Sequence, residues 1–247
     1  MTGQNRMLRQ LQLWDIDGSE HGWSVRQSAR ARRLSVRVFR TGGVEIVVPP
    51  RTSPRRISEF VSQHREWIEL QRRRALPAAD WPLPPEALAL TAIGEEWRCS
   101  RVAGPGPLQL CELPGRELQL SGRLEDRTRL RLLLVSWLVE HARRQLEPAL
   151  QALAAQMAVV PARVQVRCQR SRWGSCSRRG TVSLNVCLLF QRPEVLHYLM
   201  IHELAHLRHM NHSARFWAEV ARYQPDWKTL DRELLQGWRR APSWLFR

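Results

Sequence analysis

The run His202-Glu203-Leu204-Ala205-His206 constrains this chain more than any other feature. It lies where Leu196, Leu199, Met200 and Leu204 recur at helical spacing behind Pro193-Glu194, a helix start. Histidines four residues apart on a helix share one face, one turn apart, so both imidazoles can reach a single metal ion. Zinc is the natural occupant of such a pair. A glutamate directly after the first ligand is placed to take a proton from a water on that ion. The spacing therefore predicts His202 and His206 as metal ligands, Glu203 as the catalytic group and zinc as the cofactor.

A third histidine, His212, follows six residues after His206. Met210-Asn211 is read as the end of the helix, because asparagine tolerates the left-handed conformation found there. The chain would then turn and bring His212 beneath the metal. Ser213 can cap a following helix with Phe216, Val220 and Tyr223 on its inner face. Three histidines and one water would make an open, catalytic four-coordinate site. Glu219 and, more weakly, Asp226 are the alternatives for the third position. His21, His64, His141 and His197 read as packed or exposed side chains. His209 reads the same way, with a role beside the metal or substrate as its alternative.

The 247 residues are enough for one large domain or two small ones. Hydrophobic residues at 43% and charged residues at 25% exclude a collagen, a disordered tail or a disulfide-held mini-protein. Uncharged stretches such as Thr181–Gln191 fall well short of the ~20 apolar residues of a membrane span, so no membrane partner is expected. No apolar segment of the signal-peptide kind follows the N-terminal MTGQNRMLRQ. The five cysteines form no C-x-x-C pair, and reduced thiols in a cytoplasm are the expectation. Cys168 and Cys176 are too widely spaced for a zinc knuckle, and Cys176 reads as a buried structural thiol.

Lys+Arg is 39 against Asp+Glu 23, a net charge of +16, and Lys228 is the one lysine. Such a basic protein favours nucleic acid, nucleotides or acidic surfaces as partners. No phosphate-binding G-x-x-x-x-G-K-[ST] run and no recognisable nucleic-acid module is present.

Along the chain, Trp23–Ser28, Leu34–Arg40 and Val44–Val48 read as strands, the last two joined by a turn at Thr41-Gly42-Gly43. Ser53 and Pro54 start a helix whose apolar stripe runs from Ile57 to Gln71 and ends in three arginines. A proline-rich connector, Leu76–Pro85, follows. Ala87–Ile93, Trp97–Val102, Leu108–Cys111 and Glu117–Leu120 read as weaker strands. Leu124 to Met157 predicts two helices or one kinked at Pro148. Arg163–Arg167 and Thr181–Phe190 read as strands around a loop, Ser171-Arg172-Trp173-Gly174-Ser175-Cys176.

That loop resembles a known family when taken with Ser183-Leu184-Asn185, His202 to His206, Asn211-His212-Ser213 and Phe216-Trp217. The family is the YgjP-like metallopeptidase domain. Upstream, Arg32-Arg33-Leu34-Ser35-Val36-Arg37-Val38 and Val47-Val48-Pro49 match it too, so the resemblance spans roughly residues 23–238. The zinc arrangement is also similar to that of the WLM and SprT relatives, which cut proteins crosslinked to DNA. The chain departs from the family's usual form at Leu76–Pro85 and Ala103–Pro107. The resemblance implies His202, His206 and His212 as metal ligands and Glu203 as acid/base. It also implies Thr181–Leu189 as a strand beside the cleft, where a peptide could add as a further strand.

The expected fold class is thus α+β. A mostly antiparallel β region with one helix, residues 1–122, precedes a zincin-like helical catalytic domain with a short sheet, residues 123–247. The leading functional reading is a zinc-dependent metallopeptidase. A metal-dependent nucleoside triphosphate pyrophosphohydrolase and a basic nucleic-acid-associated protein with a non-catalytic metal site are the alternatives. Hydrolysis of either bond builds negative charge on an oxygen, so a further cation is expected near the metal. Arg172, in the loop that the resemblance places by the site, is the candidate, ahead of Arg170 and His209.

Overall fold

The computed structural model of the chain describes residues 23–39, 42–74 and 82–246. His21, Thr41 and residues 76–81 of the proline-rich stretch lie outside the described residues. The chain divides into two compact units, one within Met1–Pro77 and a larger one, Ala78–Leu245. The boundary expected at 122/123 falls inside the larger unit.

In the first unit, strands β1 (Trp23–Gln27), β2 (Ser35–Val38) and β3 (Val44–Val48) form a sheet in the order β1-β3-β2. β3 pairs parallel with β1 and antiparallel with β2. The helical stripe runs as two segments, α1 (Pro54–Gln63) and α2 (Arg65–Arg74), broken at His64. As expected, Ser53 caps α1, its side chain accepting from the Arg56 N–H. Ile57 and Val61 of α1 pack on Ile46 and Val48, with Trp23, Val25 and Leu34 closing the cluster.

The second unit opens with β4 (Ala87–Leu90), β5 (Glu95–Ala103), β6 (Gln109–Leu113) and β7 (Glu117–Gly122), ordered β4-β5-β7-β6. The pair β5–β7 is parallel and the other two pairs are antiparallel. The segment from Leu124 to Met157 is one helix, α3 (Arg127–Gln156), which carries Pro148 inside it. Strands β8 (Arg163–Arg167), β9 (Gly174–Cys176) and β10 (Thr181–Asn185) make a second sheet, ordered β8-β10-β9. The strand read over Thr181–Phe190 ends early. After Asn185 the chain turns into a 3-10 segment, Val186–Phe190, because the Asn185 side chain accepts from the Cys187 N–H.

Three more helices complete the unit: α4 (Pro193–Ala205), α5 (Ala214–Tyr223) and α6 (Trp227–Gln236). α4 packs against α3, α5, α6, β9 and β10. It is therefore buried on nearly all sides, through Val195, Leu196, Leu199, Met200, Ile201 and Leu204 among others. At roughly 1.5–3 kcal/mol for each large aliphatic side chain, this burial fixes α4 as the axis of the unit. All five cysteines are free. Among the described residues, no helix is long and apolar enough to cross a membrane.

A charge cluster ties the start of α4 to α6. Arg192 donates Nε to Glu233 Oε1 at 3.0 Å and Nη2 to Oε2 at 2.8 Å, and Arg240 Nη1 adds a bond to Oε1 at 2.8 Å. The Arg192 bonds, with help from Arg240, hold the Glu233 carboxyl below the usual carboxylate range. Its stabilising effect is therefore complete above the unfolded carboxylate value and fades as the pH falls through the depressed folded one. Both arginines are about half exposed, which limits the effect to about 1 kcal/mol. Glu233→Gln should lower the urea-unfolding free energy by about that much at pH 7, and the gap to wild type should shrink toward zero in acid. A gap of constant size across that range would contradict the assignment.

Candidate metal centre

The three histidines converge. The ligand nitrogens of His202, His206 and His212 all lie within 4.8 Å of one another. The Nε2 atoms of His202 and His212 are 3.1 Å apart. His202 and His206 stand on α4 and at its C-terminal cap, one turn apart. The helix ends there, and not at Met210-Asn211 as expected. Asn211 is absent from the residues of positive φ, so no left-handed asparagine makes the turn. Instead, the N–H groups of Leu207, Arg208 and His209 bond back to Leu204 and Ala205. A short loop then carries His212 to the start of α5, where Ser213 accepts from the Phe216 N–H.

Phe216, fully buried, lies beneath all three rings, with centroids 4.9, 4.5 and 4.8 Å from His202, His206 and His212. Trp217 stacks along the exposed His212 at 5.5 Å and 22°, and Trp227 stacks on Trp217 at 4.0 Å. The alternatives for the third ligand are engaged elsewhere. Glu219 pairs with Arg208, and Asp226 accepts from Gln224.

The outer nitrogens of the two helix histidines are also occupied. His206 Nδ1 is 3.0 Å from the backbone oxygen of His209, which leaves Nε2 as its lone-pair atom. His209 thus meets the site through its main-chain carbonyl. His202 is half-enclosed, and burial, with His206 and His212 adding, holds its imidazole at about 3, hence neutral. Burial likewise lowers His206. Neutral imidazoles with free Nε2 lone pairs are what a metal requires of these groups. The donor set accordingly fits a divalent metal.

Glu203 is 4% exposed, and its Oε2 is buried without a hydrogen-bond partner. Burial pushes its carboxyl up to about 8, against the pull of the Arg172 charge. A Cβ on Gly174 would stand 2.5 Å from Glu203 Oε1, so the carboxyl rests directly on the backbone of β9. That contact accounts for the glycine of the Arg172-to-Cys176 run. Trp173 is buried against Trp238, ring centroids 4.2 Å apart, and its carbonyl accepts from the Asn185 N–H at 2.8 Å. Asn185, fully buried, donates Nδ2 to the carbonyls of Gln169 and Arg172 at 2.8 and 2.7 Å. Burial and the neighbouring Glu203 charge push the Cys176 thiol up to about 11.

The expected cleft strand needs correction. β10 is paired on both sides, by β8 and β9, so it offers no free edge. Of the two edge strands of this sheet, β8 and β9, it is β9 that lies against α4 and Glu203. Sequence reading missed it because β9 is only three residues long and has no alternating pattern. Asn185 stood out only as part of Ser183-Leu184-Asn185, with no role assigned, because its role lies in contacts to a loop sixteen residues away.

The crystal structure of the metallopeptidase zymogen abylysin of Pyrococcus abyssi is similar, at 26% identity over 44% of this chain and 98% of that one, with a TM-score of 0.32. No curated protein matches the chain. The family profile described as YgjP-like, metallopeptidase domain, matches residues 32–236, most of the chain, which therefore belongs to the YgjP-like metallopeptidase family.

Proposed function

We propose that the protein is a zinc-dependent peptidase in which His202, His206 and His212 hold the metal and Glu203 is the catalytic acid and base. The observation that carries this reading is a buried carboxyl with an unpartnered oxygen beside three converging imidazoles. A structural metal site has no use for such a group, whose burial is costly. Zinc is the ion that a set of three imidazoles with an open fourth position would suit, and His202, His206 and His212 would hold it.

Bound zinc supplies a Lewis acid that polarises the scissile carbonyl and eases deprotonation of water. The chain supplies the rest. Glu203 takes the proton of the attacking water and returns it to the leaving amine nitrogen. Burial raises its proton affinity, and a dication beside it would act in the opposite direction and favour the carboxylate that accepts the proton. Arg172, exposed on the loop before β9, offers a positive charge to the oxygen on which negative charge builds. The free edge of β9 accepts an extended peptide by backbone hydrogen bonding. The five unpaired thiols favour a cytoplasmic location.

The test is an activity panel with zinc-loaded protein. It sets casein and short peptides, with and without DNA, against nucleoside triphosphates. Peptide hydrolysis is expected. Cleavage of triphosphates alone would replace this reading by the nucleotide one.

Glu203→Gln should retain zinc and lose about 10³-fold in kcat or more, whereas His206→Ala should lose the metal. Equal turnover by wild type and Glu203→Gln on every substrate would remove the catalytic assignment.

Gly174→Ala tests the cradle. Its Cβ displaces the Glu203 carboxyl, so kcat should fall about 10²-fold at unchanged zinc content. Arg172→Ala should cost a similar factor in kcat, about 10²-fold, with KM and zinc content little changed. Wild-type kinetics in the arginine variant would discard Arg172 as a transition-state group.

A further inference from the structure

His202 differs from His206 in how its outer nitrogen is held. His206 Nδ1 meets a backbone carbonyl, which can only accept. His202 Nδ1 meets a hydroxyl, Tyr198 Oη, at 3.4 Å. A hydroxyl can donate or accept, so by itself it does not decide where the imidazole proton sits. The decision is made one step further out, where Tyr198 Oη lies 2.8 Å from Asp231 Oδ1. A carboxylate accepts only, so the single phenol proton is spent on Asp231. Tyr198 is fully buried, so its hydroxyl has Asp231 and His202 as neighbours and no bulk water to turn to. What remains for His202 is a lone pair. The proton between the two must then come from His202 Nδ1, and Nε2 is left bare toward His206 and His212.

The three groups come from two helices. Tyr198 precedes His202 by four residues on α4, so the two share a face. Asp231 stands on α6, which packs along α4. Edge-on contact of the Tyr198 and His202 rings, with centroids 5.9 Å apart, restricts rotation of the imidazole as well.

We propose that Asp231 and Tyr198 are positioning residues of the metal centre: Asp231 fixes the direction of the Tyr198 hydroxyl, and Tyr198 in turn fixes the tautomer and orientation in which His202 presents Nε2 to the metal. This rests on the reading of the three histidines as ligands. It makes α6, which bears no ligand itself, part of the metal-binding apparatus. Outer-sphere partners of this kind typically alter metal affinity 10–100-fold.

The readout is zinc affinity, measured by competition with a chromophoric chelator, alongside unfolding curves of the metal-free variants. Tyr198→Phe keeps the ring and removes the acceptor, and should weaken zinc binding about 10–100-fold. Asp231→Ala frees the phenol proton to point at Nδ1, which favours the wrong tautomer, and should weaken binding about tenfold. Because Asp231 acts only through Tyr198, Asp231→Ala should have no further effect on affinity in the Tyr198→Phe background. Wild-type affinity in folded Tyr198→Phe, or an equal loss from Asp231→Ala in both backgrounds, overturns the proposal. A second measurement needs no variant. The side-chain ¹⁵N spectrum of metal-free wild-type protein should show His202 with its proton on Nδ1, and a proton on Nε2 would overturn the relay even if the variants fail to fold. Wild-type protein that binds no zinc would defeat the peptidase reading instead, and the tautomer result would stand apart from it.

Discussion

A carboxyl group with a buried, unpartnered oxygen sits on the most enclosed helix of this protein, and the arrangement around it follows from keeping it there. Burying such a group without full pairing costs several kcal/mol. α4 bears that cost because its other faces are apolar and packed by α3, α5, α6, β9 and β10. Space for the carboxyl exists because residue 174 has no side chain. Nothing larger could stand on β9 at that point without driving Glu203 off the line of the histidines.

Holding β9 at that distance is the work of residues that never touch the metal. Asn185 uses both ends of its amide, binding the carbonyls of Gln169 and Arg172 and the N–H of Cys187. Trp173 is wedged against Trp238, so the C-terminal turn after α6 braces the loop from behind. Buried polar groups with complete hydrogen bonding fix one geometry more strictly than apolar contacts do. This explains why a chemically undistinguished Arg-Trp-Gly-Ser-Cys run belongs to the site. Trp173 and Gly174 hold distances, and Arg172 alone adds charge.

Much of this was legible locally and little of it at a distance. The helix histidines and Glu203 could be read because a four-residue spacing on a helix is itself a three-dimensional statement. His212 and the Ser213 cap were legible for the same reason, within a few residues of chain. The end of α4 was misplaced because Asn211 suggested a left-handed turn, while backbone bonds to Leu204 and Ala205 stop the helix earlier. The strand ending at Asn185 was overrun because Val186–Phe190 is apolar enough to continue it, and only the Asn185 side chain turns it into a 3-10 segment. Tyr198 and Asp231 drew no reading from the sequence, because they meet only through a contact across 33 positions. The α+β class survived these errors because it depends on which elements exist and not on where each one stops.

The arginine excess also looks different once side chains have positions. Arg208, in the loop between the second and third histidines, donates to the carbonyls of Met157 and Ala158 at 2.7 and 3.1 Å and pairs with Glu219. It therefore fastens that loop to the end of α3 and to α5 at once. The planar guanidinium, with donors fanned in one plane, can meet several acceptors where a lysine would meet fewer. The same contact engages Glu219, the carboxylate that the sequence offered as an alternative to His212. Arg192, Arg240 and Arg144 are spent on internal partners in the same manner. A net charge of +16 is thus partly architecture, and the loop that carries His212 toward the other two histidines is held by one of those charges as directly as the Glu203 carboxyl is held against Gly174.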